Sequence, residues 1–232
     1  MRVLLVIISL MLLLVGCEQA EPEKEKLDLN DRATKMSYAL GLEFGMYYKD
    51  LGETLQKEAL MQGISDALSA ASPQLSQAEV RQIMRSVHRE LMQKQQERLG
   101  AMADQNKTEG EAFLATNKQK TGVITLPSGL QYKVIQEGTG RQPTLNDKVV
   151  VHYRGELVNG EVFDSSYDRG QPSALRVDQV IKGWQEALTL MKEGAKWELY
   201  IPPELAYGAR GSRPNIGPHA VLIFELELIS IR

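Results

Sequence analysis

Apolar positions along this chain fall into three successive patterns. Residues 3–15 form one apolar run behind Arg2, interrupted only by Ser9. From about Arg32 to Lys118 apolar groups recur every three or four residues, and from Thr121 onward they alternate with polar ones. Steps of three and four place side chains on one face of a helix, whereas strict alternation places them on one face of a strand. Met36, Leu40, Phe44, Tyr47 and Leu51 mark a first helix. Leu60, Ile64, Ala67 and Leu68 mark a second, which Ser72-Pro73 stops. Ser76-Gln77-Ala78-Glu79 is a capping box, in which a hydroxyl and a carboxylate satisfy each other's free backbone donors at a helix start. It opens a stretch without proline to about Lys118, a helix about 65 Å long. Beyond it, Leu130, Tyr132 and Val134 alternate with Gln131 and Lys133, and Val149, Val151 and Tyr153 repeat the pattern. Asn159-Gly160 predicts a type I′ hairpin turn into a strand over 161–164. Trp197, Leu199 and Ile201 form another strand, closed by Pro202-Pro203. The last runs over 220–231, with Leu222, Phe224, Leu226 and Leu228 on one face against Glu225 and Glu227. One short helix, about 183–191, with Gly194 as its stop, is available to cover such a sheet.

The expected fold class is α+β: an N-terminal all-helical region with one long helix, then a curved antiparallel sheet wrapped on a short α-helix. One sheet face is buried and the other wet. The long helix carries its apolar stripe, Val80, Ile83, Met84, Val87 and Leu91, in its first third. The rest is rich in Gln, Lys, Glu and Asn and reads as a solvated spacer, with its first third packed on the two short helices. So few large apolar groups cannot build an independent helical core, so a homodimer through these helices is expected to supply the missing burial. Gly41 and Gly45, four apart, either admit a second helix closely or are merely tolerated. The methionines at 36, 46, 61, 84, 92 and 102 read as filler rather than as a client surface.

Composition narrows the class. Apolar residues make up 43% and charged ones 25%, with a net charge of −3 and no Lys/Arg-rich patch. That is ordinary globular composition, and nucleic acid is not an expected partner. The run over 3–15 falls short of the roughly 20 residues that span a bilayer but has the proportions of a secretory signal. It ends in Leu14-Val15-Gly16-Cys17, which resembles a bacterial lipobox. That resemblance implies removal of 1–16 and lipidation of Cys17, the only cysteine, rather than a buried thiol. Several acyl chains at about 0.8 kcal/mol per buried CH₂ would anchor the chain stably. Residues 18–31 hold four Glu and two Asp against two Lys, a flexible tether by composition.

Ordinary catalytic chemistry finds no footing. His88, His152 and His219 are scattered, no HExxH or GxSxG occurs, and Gly208-Ala209-Arg210-Gly211 is not set between a strand and a helix. No metal and no cofactor are expected. His152, pointing opposite to Tyr153, and His219, beside Pro218, read as structural.

Five stretches then fall in a telling order. They are Val151-His152-Tyr153-Arg154-Gly155, Val162-Phe163-Asp164-Ser165-Ser166, Val180-Ile181-Lys182-Gly183-Trp184, Leu205-Ala206-Tyr207-Gly208-Ala209, and Pro218-His219-Ala220 with Phe224. Together they resemble the FK506-binding family of peptidyl-prolyl isomerases over residues 128–232. The helices, the lipobox and the junction through Leu126-Pro127-Ser128-Gly129 resemble its macrophage infectivity potentiator branch of dimeric exported bacterial isomerases. The resemblance implies a pocket floored by Trp184 and walled by Tyr153, Phe163, Val180, Ile181 and Phe224, with Ile216 at its outer edge. It implies that the Tyr207 hydroxyl holds the carbonyl of the bound Xaa-Pro unit and the Ile181 N–H the next one. Asp164 then sits at the polar rim with Arg169 nearby, orienting Tyr153 or Arg169 rather than moving a proton. Catalytic roles fall to Asp164, Tyr207, Phe163 and Tyr153. Ser173 and Leu175 stand where many relatives carry aromatic rings, which touches inhibitor affinity and the preference before proline. Taken alone, Phe163, Trp184 and Phe224 fit ordinary core equally well, while Tyr153 and Tyr207 need polar partners if buried.

The expected organisation is 1–16 leader, 17–31 acidic tether, 32–75 short-helix dimerisation region, 76–120 long spacer helix and 121–232 isomerase domain. Expected partners are proline-containing unfolded or exported polypeptides, a membrane through Cys17, a second copy, and inhibitors of the FK506 or rapamycin type. The expected location is the bacterial envelope, at the outer membrane facing the periplasm or the cell surface. The competing reading is a non-catalytic holdase chaperone or adhesin that uses the dimeric helical arms.

Overall fold

The computed structural model describes residues 27–69 and 72–232. The leader, Cys17 and the tether as far as residue 26 lie outside the described residues. The chain divides into two compact units, Met1–Ser72 and Pro73–Arg232.

The first unit contains α1 (Arg32–Tyr48), a 3-10 turn over Lys49–Thr54, and α2 (Lys57–Leu68). Residues 27–31, expected as the end of the tether, form a turn that finishes in a helix cap. The Asp31 carboxylate accepts the Thr34 N–H at 2.7 Å and its hydroxyl at 2.8 Å, bonds that hold it below the usual carboxylate range. Of the described apolar residues in this unit only Leu51 is buried, while Met36, Leu40, Met46, Tyr47, Met61, Ile64 and Leu68 are all exposed. A β-carbon added at Gly41 or Gly45 would meet nothing within 4 Å.

In the second unit, α3 (Gln77–Asn117) starts at the expected capping box, with Ser76 and Glu79 exchanging side-chain and backbone bonds. Seven strands follow: β1 (Val123–Thr125), β2 (Gln131–Gln136), β3 (Lys148–Leu157), β4 (Val162–Ser165), β5 (Ser173–Arg176), β6 (Lys196–Ile201) and β7 (Leu222–Ile231). They form one antiparallel sheet in the order β1-β2-β6-β7-β3-β4, with β5 paired to β3. Helix α4 (Lys182–Leu190) lies on its inner face and contributes the buried Trp184, Ala187 and Leu188. Facing pairs such as Val151 with Leu228, Tyr153 with Leu226 and Leu199 with Phe224 fill the core, as the alternation predicts. Gly183 lets α4 close on the sheet, since a β-carbon there would stand 2.6 Å from the Ile201 side chain.

Three expectations need correction. The distal part of α3 is not a solvated spacer: Gly110 and Asn117 are buried. Phe113 packs against Tyr200 with ring centroids 5.9 Å apart, Asn117 donates to Gln131 at 3.0 Å, and Gln131 donates to the Leu114 carbonyl at 2.9 Å. The outer sheet face is therefore not wholly wet, because this end of α3 covers Tyr200, Gln131 and Val221. The Asn159-Gly160 turn is also not type I′, which needs positive φ at both positions. Only Gly160 is left-handed (φ 85°), the Gly160 N–H donates to the Leu157 carbonyl, and the Asn159 side chain accepts the Glu161 N–H. This is a three-residue loop, and the register shift that follows leaves Phe163 of β4 as the extra residue opposite Gly155 and Glu156.

Candidate active site

The site forms where β3, β4 and β7 meet the start of α4. In this register Gly155 of β3 faces Phe224 of β7 on one side and Asp164 of β4 on the other. A β-carbon at Gly155 would stand 2.6 Å from both the Phe163 and the Phe224 rings, so its absence lets the two rings meet. They do so edge to face at 5.5 Å and 87°. Trp184 repeats the arrangement with Phe224 (5.1 Å, 77°) and with Tyr153 (5.1 Å, 80°). Edge-to-face contacts set the positive ring edge against a negative face, fixing four aromatic planes around one hollow.

That hollow has a volume of about 450 Å³. Tyr153, Phe163, Asp164, Val180, Ile181, Trp184, Tyr207, Ile216 and Phe224 all line it. Arg169 stands behind the wall: it pairs with the Asp164 carboxylate, donates to the Tyr153 hydroxyl at 2.8 Å and to Ser173 at 3.3 Å. The Tyr153 hydroxyl in turn donates to Asp164 at 2.6 Å. Tyr153, Asp164 and Arg169 thus close a polar ring on one side of the pocket, with the guanidinium 5.4 Å over the Tyr153 ring. Behind them the buried Ser166 accepts the Tyr153 N–H at 2.7 Å and meets His152 Nδ1 at 2.9 Å. His152 stacks on Tyr167, in agreement with a structural role.

Two groups face the hollow with capacity to spare. No hydrogen bond among the described residues uses the Tyr207 hydroxyl or the Ile181 N–H. Ile181 is the residue before α4, and its carbonyl accepts from Trp184 and Gln185. The Trp184 indole N–H is buried on the floor without a partner. Tyr207 is exposed overall, but partial desolvation of its phenol pushes it above the ordinary tyrosine value, and the Asp164 charge adds to the effect. Tyr153 shifts the same way through burial and its bond to Asp164, with Arg169 pulling back. Both phenols stay neutral donors at neutral pH.

Leu175, Gln179, Ser212, Arg213, Pro214 and Asn215 also line the pocket. Of these only Leu175 is singled out by the family resemblance; it forms an apolar part of the wall. Ser173 turns instead to Arg169. Residues 212–215 carry no chemical signature, and only the bracketing Gly211 and Gly217-Pro218 mark a loop there.

A family model described as FKBP-type peptidyl-prolyl cis-trans isomerase matches residues 139–229, and one for the domain amino terminal to it matches residues 33–134. The chain is 45% identical over its whole length to the peptidyl-prolyl cis-trans isomerase Mip of Coxiella burnetii, covering 98% of that protein. It is 41% identical to the outer membrane protein MIP of Legionella longbeachae, with 85% of each chain covered. The crystal structure of FkpA from Escherichia coli shares its fold at a TM-score of 0.67 and 37% identity, over 87% of this chain and 97% of that one. An aromatic hollow with unused donors, on a sheet wrapped around one helix, matches those relations, and the chain belongs to the FKBP-type peptidyl-prolyl cis-trans isomerases.

Proposed function

We propose that this isomerase turns Xaa-Pro bonds of exported polypeptides in the hollow over Trp184, without nucleophile or metal. The observation that carries this is the pairing of an edge-to-face aromatic floor with the unused Tyr207 hydroxyl and Ile181 N–H. An amide turns slowly because resonance stiffens its C–N bond, with a barrier of about 18–20 kcal/mol. Half-turned, it loses that resonance and part of its dipole, so an apolar cavity holds the twisted form better than water does. An acceleration of about five decades needs about 7 kcal/mol of such preference. Tyr207 and Ile181 hold the flanking carbonyls while the bond turns, and Asp164 with Arg169 fixes the Tyr153 wall. Replacing Tyr207 by Phe, Phe163 by Ala or Asp164 by Ala is expected to lower kcat/KM on prolyl peptides by about 10- to 100-fold, at unchanged circular dichroism. Unchanged turnover in all three variants sinks the assignment.

The same reading places the chain in the bacterial envelope, lipidated at Cys17 and paired through α1 and α2. The name of the Legionella relative supports an outer-membrane location. Exposed Met36, Leu40, Tyr47, Met61 and Leu68 support a second copy of the chain as the partner that covers these helices. Such paired arms favour chaperone activity alongside catalysis, and the pocket suits inhibitors of the FK506 type. A Cys17→Ala variant that stays in the membrane fraction would refute the anchor. Full-length protein with all three pocket substitutions that still suppresses aggregation of an unfolded client would separate holdase from isomerase activity.

A further inference from the structure

The loop over residues 212–218 has open space on both sides. On one side Arg213, Pro214, Asn215 and Ile216 form the outer wall of the prolyl pocket. On the other, the same four residues line a second cavity of about 570 Å³, whose opposite wall is α3. Ile216 anchors one end of this partition in the core, while the exposed Arg213, Pro214 and Asn215 have open space on both sides and depend on a few point contacts. Ser212 and Ile216 pair their backbones, closing the loop on itself, and do not tie it to the rest of the domain.

Among the described residues, the polar tie outward is one peptide group. The Pro218 carbonyl accepts from the Asn106 side chain of α3 at 2.8 Å, and the His219 N–H of the same peptide donates to the Gly208 carbonyl at 2.9 Å. Gly208 adjoins Tyr207. His219 is the one described residue other than glycine with positive φ (55°), a conformation that costs of order 1 kcal/mol or more and persists only when its surroundings impose it. Beside it Gly217 lies against α3 so closely that a β-carbon would stand 2.6 Å from Met102 Sδ and 3.0 Å from Asn106 Nδ2.

We propose that Asn106 and Met102 of the long helix are positioning residues for the isomerase: through the Pro218–His219 peptide they set both the 212–216 wall and the Tyr207 turn. They touch no substrate. They decide how well the residues flanking proline are held, so they govern KM and the preference before proline rather than the turning step. This rests on the pocket assignment above.

The test uses the full-length chain and a series of prolyl peptides differing in the residue before proline. Asn106→Ala removes the donor, and Asn106→Asp keeps the shape but sets an acceptor against the Pro218 carbonyl. Both should raise KM by about three- to tenfold, the worth of one hydrogen bond, unequally across the series. kcat should stay within about twofold of wild type. Asn106→Gln, which retains the donor, should recover most of the loss, and Met102→Ala should shift the preference in the same direction as Asn106→Ala. Folded Asn106→Ala and Asn106→Asp proteins with wild-type KM on every peptide would overturn the proposal. So would Asn106→Gln being as impaired as Asn106→Asp, which would reduce the site to packing. Wild-type turnover in Tyr207→Phe, Phe163→Ala and Asp164→Ala alike would instead fail the pocket assignment, a different result on different variants.

Discussion

At the residue scale, the site depends as much on a missing side chain as on those present. Gly155 has no catalytic atom, yet Phe163 and Phe224 meet in the space its β-carbon would fill. Gly155→Ala must displace a ring, and overpacking of this kind destabilises by about 1–3 kcal/mol. The variant should lower both the thermal midpoint and kcat/KM, whereas Gly160→Ala, at a left-handed but open position, should lower only the midpoint. The tyrosines give a sign for pH. Raised phenol values mean the folded state favours the protonated form, so the associated stability is complete below about pH 10, the ordinary tyrosine value, and falls as pH rises through the folded-state values. Phenolate absorbance of Tyr153 and Tyr207 should therefore appear only above that pH. An ionisation of Tyr207 centred below about pH 9 would contradict its partial desolvation beside Asp164.

At the element scale, α3 has two different faces in succession. Its N-terminal stripe is apolar and legible as such. Its distal stripe, Met102, Asn106, Gly110, Phe113 and Asn117, keeps the same three- and four-residue steps but sets amide or glycine residues at three of the five positions. Hydrophobicity alone therefore hides it. Gly110 and Gly100 make a paired test. Nothing lies within 4 Å of a β-carbon at Gly100, so Gly100→Ala should gain up to about 1 kcal/mol from helix propensity. At Gly110 the added carbon would stand 2.7 Å from Val221 Cγ2, and Gly110→Ala should lose stability in denaturant unfolding. Equal gains in both would mean that α3 does not close on the sheet.

At the scale of the whole molecule, the two units have opposite balances of buried apolar surface. The second has a continuous core from Leu130 to Leu228. The first buries one leucine among its described apolar residues. Such a unit cannot offset its chain entropy alone. Full-length protein should sediment at twice the mass of one chain, and Leu40→Glu with Tyr47→Glu should reduce it to the mass of one while leaving short-peptide turnover intact. A wild-type monomer at micromolar concentration would refute the paired arms.

Period was enough to define the helices and the antiparallel domain, while the family resemblance named the aromatic walls of the pocket but not Gln179 or residues 212–215. Binary pattern is a local property, and the family's aromatic stretches each sit within one element. Tertiary structure alone decided three things. Arg169 stands behind the Tyr153–Asp164 wall rather than in it; the Asn159-Gly160 loop takes three residues; and the outer pocket wall hangs on a peptide bonded to a helix 112 residues away in sequence. Each depends on what approaches from a distant element, and neither periodicity nor composition encodes that distance.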